Sequence, residues 1–209
     1  MRPVRKLYTL AALDADGYIT AVHTDAVAVG AAFTLAATTA GDGCSHPVTF
    51  FSAADISLVS FTVTGTDAEG RTISEAVTGP TAGATTTSTK YFATVTSIVK
   101  LAGAGGADNF TAGWTALAHT PIFPTNAFGT VGPTLGVVIG GTVTYSGMQA
   151  NGDVFTLASD TLYFVAITGM AGASADAYVT SVAGTTGLRV HVASHTSGTL
   201  AITYSQGRG

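Results

Sequence analysis

The sequence predicts an all-β chain of two β-sandwich-like domains joined by a linker containing proline and glycine. Three observations predict it. Apolar and polar residues alternate with period two, most cleanly at Val59, Phe61 and Val63 against Ser60, Thr62 and Thr64, the pattern of a strand with one buried face. Threonine and valine are abundant, while glutamate occurs only at Glu69 and Glu75. An amphipathic helix would therefore have little charged surface to present, whereas branched side chains suit a pleated sheet. The length, 209 residues, is about twice the ~100 residues of one immunoglobulin-sized sandwich.

In chain order, Tyr18–Val22 reads as a short strand after a turn at Asp14–Gly17. Phe33–Ala37 and Val48–Phe51 are further strands; the alanine-rich run 26–37 has helix propensity, but its Val, Gly and Thr favour strand. Two alternating runs flank Thr66–Gly70 and end at Thr78, which reads as a β-hairpin. A loop at Gly79–Thr89 leads to a strand over Tyr91–Leu101, with Phe92, Thr94, Thr96 and Ile98 on one face and Val95, Val99 and Leu101 on the other. Gly103–Gly106 breaks it.

His119–Pro133 holds Pro121, Pro124 and Pro133. Proline removes ladder donors, so this stretch reads as a linker between a domain at 1–118 and another at 134–209. In the second domain Leu135–Tyr145 alternates, Asn151–Asp153 signals a turn, and Val154–Leu157, Leu162–Thr168 and Ala177–Val182 are strands. Leu188, Val190 and Val192, then Ser194–Gly198, then Leu200, Ile202 and Tyr204 read as a second hairpin.

Composition narrows the function. Charged residues are 10% of the chain and hydrophobic ones 46%, against an ordinary charged share of ~25%. So neutral a surface fits one covered by other subunits, and a homo-oligomer is expected, with a trimer as the best guess. The net charge of −4 argues against nucleic-acid binding, which needs a basic face. The uncharged stretch Thr161–Ala175 is too short to cross a bilayer as a helix, so no membrane partner is expected. Met1–Leu13 has a basic start and an apolar patch, but Asp14 and Asp16 follow at once, and no cleaved signal is expected. One cysteine, Cys44, cannot form an intramolecular disulfide, which fits folding in a reducing cytoplasm.

No catalytic signature is present: no nucleophile elbow, phosphate-binding loop, His-Glu-x-x-His or paired Cys-x-x-Cys. The chain is expected to be no enzyme and to need no cofactor or metal. Cys44 and His46 face the same side of an extended segment, yet a reactive thiol needs an electropositive pocket, and the pair reads as a small apolar residue beside a loop histidine. Asp14-Ala15-Asp16-Gly17 is a fragment of a calcium loop whose twelfth position holds Asp25 instead of glutamate, so a plain turn is expected. His191 and His195 lack the helical register that aligns two imidazoles on a metal. Trp114, Tyr145, Tyr163, Tyr178 and Tyr204 are candidate sugar-binding aromatics, although aromatics more commonly fill cores and interfaces.

The segment Phe61–Gly79, FTVTGTDAEGRTISEAVTG, followed by Tyr91–Ile98, YFATVTSI, and then by Ala102–Trp114 in the place of a glycine-rich loop, resembles tailed-bacteriophage virion proteins. The end of the chain, Leu188 to Gln206, is similar to the closing hairpin and tail of such proteins. The resemblance implies a structural role in the virion, assembled in the host cytoplasm. The first expectation is a capsid decoration (cement) protein contacting the major capsid protein or other virion subunits. The alternatives are a tail, collar or connector component, or a carbohydrate-binding fibre module. Arg2, Arg5 and Lys6 are three of only eight basic residues and sit beside Pro3; they are expected to form a short flexible arm and a candidate anchor to an acidic strip on a neighbouring subunit.

Overall fold

The computed structural model describes residues 3–103, 108–125, 132–150, 164–181 and 184–206. Within them lie fourteen strands and no helix: β1 Val4–Thr9, β2 Asp14–His23, β3 His46–Ser52, β4 Ser60–Thr66, β5 Thr72–Thr78, β6 Thr85–Phe92, β7 Thr94–Ala102, β8 Asn109–Trp114, β9 Ala118–His119, β10 Phe123–Pro124, β11 Thr134–Ala150, β12 Val165–Ala166, β13 Ala177–Thr180 and β14 Gly187–Ser205. The protein is all-β. Its two compact units are interleaved in sequence: one comprises Met1–Ala12, Asp42–Cys44 and Ala116–Gly209, the other Leu13–Gly41 and Ser45–Thr115. This differs from the expected sequential domains 1–118 and 134–209, because the first strand pairs with the last.

The unit formed by Leu13–Gly41 and Ser45–Thr115 contains two antiparallel sheets, ordered β2-β8-β3-β6 and β5-β4-β7. The β4–β5 hairpin runs in continuous register from Ser60↔Thr78 to Thr66↔Thr72. Aromatic rings from both sheets meet: Phe50 of β3 stacks on Phe61 of β4 at 4.8 Å, and Phe110 of β8 lies 4.9 Å from Phe61. All three are buried, so the sheets pack face to face as a sandwich.

Several expectations for this unit fail for a local reason. Phe33–Ala37 is not a strand; it makes one bridge beside it, Ala32↔Val99, and places Phe33 5.0 Å from Phe110. The strand expected over Tyr91–Leu101 is two strands in different sheets, β6 and β7, separated at Ala93. In β7, Ser97 pairs with Thr64 and Val95 with Gly65, so Thr96 is an extra, bulged residue. The bulge reverses the face assignment and buries Val95 with Ile98. Part of the expected loop, Thr85–Thr89, belongs to β6, and the end of the expected glycine-rich loop, Asn109–Trp114, is β8.

Glu75 joins the two sheets. From β5 its carboxylate accepts the Thr89 backbone N–H and hydroxyl at 2.8 and 2.9 Å and the Lys90 N–H at 2.8 Å, both residues on β6. Charge-assisted hydrogen bonds contribute ~1.5–3 kcal/mol each when well shielded. Because Thr89 is exposed, Glu75→Ala is expected to cost about 2 kcal/mol in total in chemical denaturation. Glu75→Gln should recover part of that.

In the other unit, β11 and β14 pair along their whole length, from Thr134↔Ser205 to Ala150↔Gly187. The expected second hairpin within Leu188–Tyr204 is therefore one continuous strand. Its Ser194–Gly198 segment is a corner. Register shifts fall at Thr142/Val143 and Thr144/Tyr145, and Gly141 opposite Gly198 has φ of 89°. The ribbon folds over itself there: Phe123, paired with Leu188, stacks on Tyr204 from the opposite end of β14 at 4.3 Å. Both halves of the ribbon thus fill one core, with Leu135, Val137, Tyr145, Val190, Val192, Leu200 and Ile202.

The expected linker is partly sheet, since β9 and β10 both pair with β14. The turn at Asn151–Asp153, the strand Val154–Leu157 and residues 162–163 lie outside the described residues.

Candidate functional site

The expected anchor is not an arm. β1 pairs with β14 through six consecutive residues, Val4↔Tyr204 to Thr9↔Thr199, so Arg5 and Lys6 stand on a regular strand. Pro3 precedes that strand rather than preventing it. Arg2 lies outside the described residues. Arg5 and Lys6 are exposed, and neither forms an ion pair with a described residue. Adjacent positions on a strand point to opposite faces, so these two cations do not form one patch.

Cys44 is buried in the core beside Tyr8 and belongs to the same unit as β1, whereas His46 belongs to the other unit. Burial, reinforced by the Asp42 carboxylate, pushes the Cys44 thiol well above its ordinary range. Burial likewise raises the Tyr8 hydroxyl to about 12. A protonated buried thiol is no nucleophile. His46 is itself committed, with Nδ1 3.1 Å from the Thr115 carbonyl.

Asp14 and Asp16 lie on β2, with the Asp16 N–H donating to Asp14 Oδ1 at 3.2 Å. A hydrogen bond between the two carboxyl groups raises the Asp16 pKa, followed by smaller contributions from burial and the Asp14 charge. Asp25 is directed elsewhere, 3.8 Å from His23 Nδ1. Among the described residues no three His, Cys, Asp or Glu side chains gather to hold a metal ion.

His191 and His195 also diverge. His195 pairs with Val143, and its Nδ1 donates to the Ala116 carbonyl at 3.0 Å. His191 pairs with Ser146 and packs edge-on against His119, ring centroids 4.9 Å apart. Burial, and then the Arg189 charge, lower the His191 pKa below its ordinary value. The folded chain thus resists a proton that the unfolded chain takes up near pH 6.5. Stability from this group is intact above about pH 6.5 and falls as the pH drops below it. His191→Gln is expected to flatten that portion of the melting temperature against pH.

Of the candidate aromatics, Trp114, Tyr145 and Tyr204 are buried, and Tyr163 lies outside the described residues. Tyr178 is 65% exposed, its ring lying over Gly136, where a Cβ would come within 2.3 Å of it.

Two features were not legible in sequence. One is a half-open cavity of about 360 Å³ between β2 and the segment 33–36, lined by Ile19, Val22, Val27, Phe33 and Leu35 among others, with no titratable lining residue. The other is Lys100, 4% exposed, whose Nζ donates to the Thr24 carbonyl at 3.0 Å and the Val27 carbonyl at 3.5 Å. Its backbone also bonds Gly30 and Ala31, so one residue of β7 ties down the 24–31 segment. A lone lysine in a strand pattern carries no sign that carbonyls will converge on it.

The motif residues themselves serve the fold. Gly65 lies against the Thr94 carbonyl, Asp67 Oδ1 accepts the Glu69 and Arg71 N–H groups across the hairpin turn, and Gly70 has φ of 80°. Gly79 lies against the Ile56 carbonyl. Together with the Glu75 clamp, these contacts give the hairpin's motif residues structural tasks. A scan against protein-family models finds no match, and searches of curated proteins and of solved structures find none either.

Proposed function

We propose that the chain is a structural subunit of a tailed-phage particle, acting as a homo-oligomeric capsid decoration protein. The observation that carries this reading is the hairpin at Phe61–Gly79, whose phage-like residues are spent on holding two sheets together. A chain with sparse surface charge and chemically committed side chains suits a scaffold placed among other subunits. The mechanism is multivalent clamping, in which each oligomer touches several shell subunits and avidity makes weak contacts lasting. A tail, collar or connector role is the alternative within the same class.

Copy number in purified particles, measured by quantitative mass spectrometry, tests the reading. Decoration expects copies in proportion to the shell subunits. Copies matching a single ring would move the chain to the tail or neck, and absence from particles would overturn the virion role.

A further inference from the structure

At one end of the unit containing β1, the sheet is four strands wide, in the order β1-β14-β11-β13. Its rows are Val4–Tyr204–Leu135–Val179, Arg5–Thr203–Gly136–Tyr178 and Lys6–Ile202–Val137–Ala177. All three pairings are antiparallel. Both outer strands pair on one side only among the described residues. Free edges of this kind are templates for another strand.

The two edges complement each other. Directions alternate across the sheet, so β13 of one copy and β1 of another meet antiparallel when the sheet is continued. Period two puts Arg5, Leu7 and Tyr178 on one face and Val4 and Val179 on the other. Leu7 is 66% exposed and Tyr178 65%, two of the most exposed large apolar side chains described. The β1 edge carries the cations Arg5 and Lys6, and Asp176 precedes β13. Continuing the rows straight across sets Val179 against Val4 and Tyr178 against Arg5, with Asp176 diagonal to Arg5. A guanidinium on an aromatic ring is a favourable cross-strand arrangement, and the Asp176 carboxylate, whose Oδ1 accepts the Ile139 N–H at 2.9 Å on the β11 side, adds its negative charge to that edge without a direct contact.

We propose that a second copy of this chain occupies the β1 edge, so that β13 of one subunit adds to β1 of the next. The contact is head-to-tail. It uses different surfaces on the two copies, and closes into a ring where the rotation per subunit permits. The inference rests on the self-association expected under the proposed function and adds where the copies meet.

Cysteine trapping tests it on the full chain. Within one molecule Val4 and Val179 stand three strand spacings apart, ~14 Å. A disulfide needs Cα atoms within about 7 Å, so Val4→Cys/Val179→Cys can crosslink only between copies, and native Cys44 is buried. The expected result is a ladder of disulfide-linked oligomers on a non-reducing gel, absent from either single variant. In sedimentation, Arg5→Glu and Tyr178→Lys should each weaken association about tenfold. The two combined should recover it, because the introduced carboxylate on β1 then faces the introduced ammonium on β13. Unchanged melting temperatures of the dissociated variants would show that the fold is intact. A wild-type chain that is monomeric at high micromolar concentration overturns the inference, as does an oligomer that yields no crosslink. The second outcome leaves the virion role standing; crosslinked rings absent from particles would sink the virion role and leave the edge contact.

Discussion

Removal of residues 1–10 is expected to unfold the unit to which they belong. The first strand looks peripheral because Val4, Arg5, Lys6 and Leu7 are all exposed. Its far end is not: Tyr8 and Leu10 are buried in the core built by the folded β11–β14 ribbon. Loss of a large buried aromatic costs ~3–5 kcal/mol and of a buried leucine ~2–5. The six-residue ladder to β14 is lost as well. The total reaches the ~5–15 kcal/mol that holds a whole domain together. Near-ultraviolet circular dichroism and thermal denaturation should show loss of tertiary structure. Deletion of residues 1–6 alone keeps Tyr8 and Leu10 and should give a smaller fall in melting temperature. A chain lacking residues 1–10 that melts like the full chain would contradict the pairing of the first strand with the last.

The second large effect is expected at Gly65. A Cβ there would lie 1.9 Å from the Thr94 carbonyl oxygen and 2.9 Å from its carbon. Those are backbone atoms of β7, held by the bulge at Thr96 and by Val95 opposite Gly65. A rotamer change cannot relieve the clash, so the sheet itself must open. Gly65→Val is expected to cost about 3 kcal/mol in urea unfolding, the upper range for overpacking a core. Gly70 supplies the control. It has φ of 80° but nothing near its Cβ position, so Gly70→Ala should cost only the ~1–2 kcal/mol of a left-handed conformation. Equal effects at the two glycines would remove the steric explanation.

What each level of description determines is visible in the same elements. Local alternation and turn chemistry sufficed for the β4–β5 hairpin, because its partners are adjacent in the chain and its register follows from the turn at Asp67–Gly70. The same local rules misread Ser194–Gly198. Small residues between two alternating runs describe a hairpin turn and a corner in a continuous strand equally well. Only pairing with β11, about fifty residues earlier in the chain, separates the two.

The candidate site divides in the same way. That Cys44, His46, Asp14, Asp16, His191 and His195 stand in none of the familiar catalytic or metal-binding sequence signatures was readable from residue types and spacing. That Arg5 and Lys6 lie on an edge strand was not. Proline and two cations signal a loose arm when read locally, and their strand exists because Tyr8 and Leu10 find a core made by the other end of the chain. By itself the sequence determined the all-β class and the one hairpin whose contacts are local. The tertiary structure alone decided which strands are edges, where bulges reverse a face, and how the chain divides into units, because each depends on hydrogen bonds between residues far apart in sequence, and local periodicity carries no record of a distant partner.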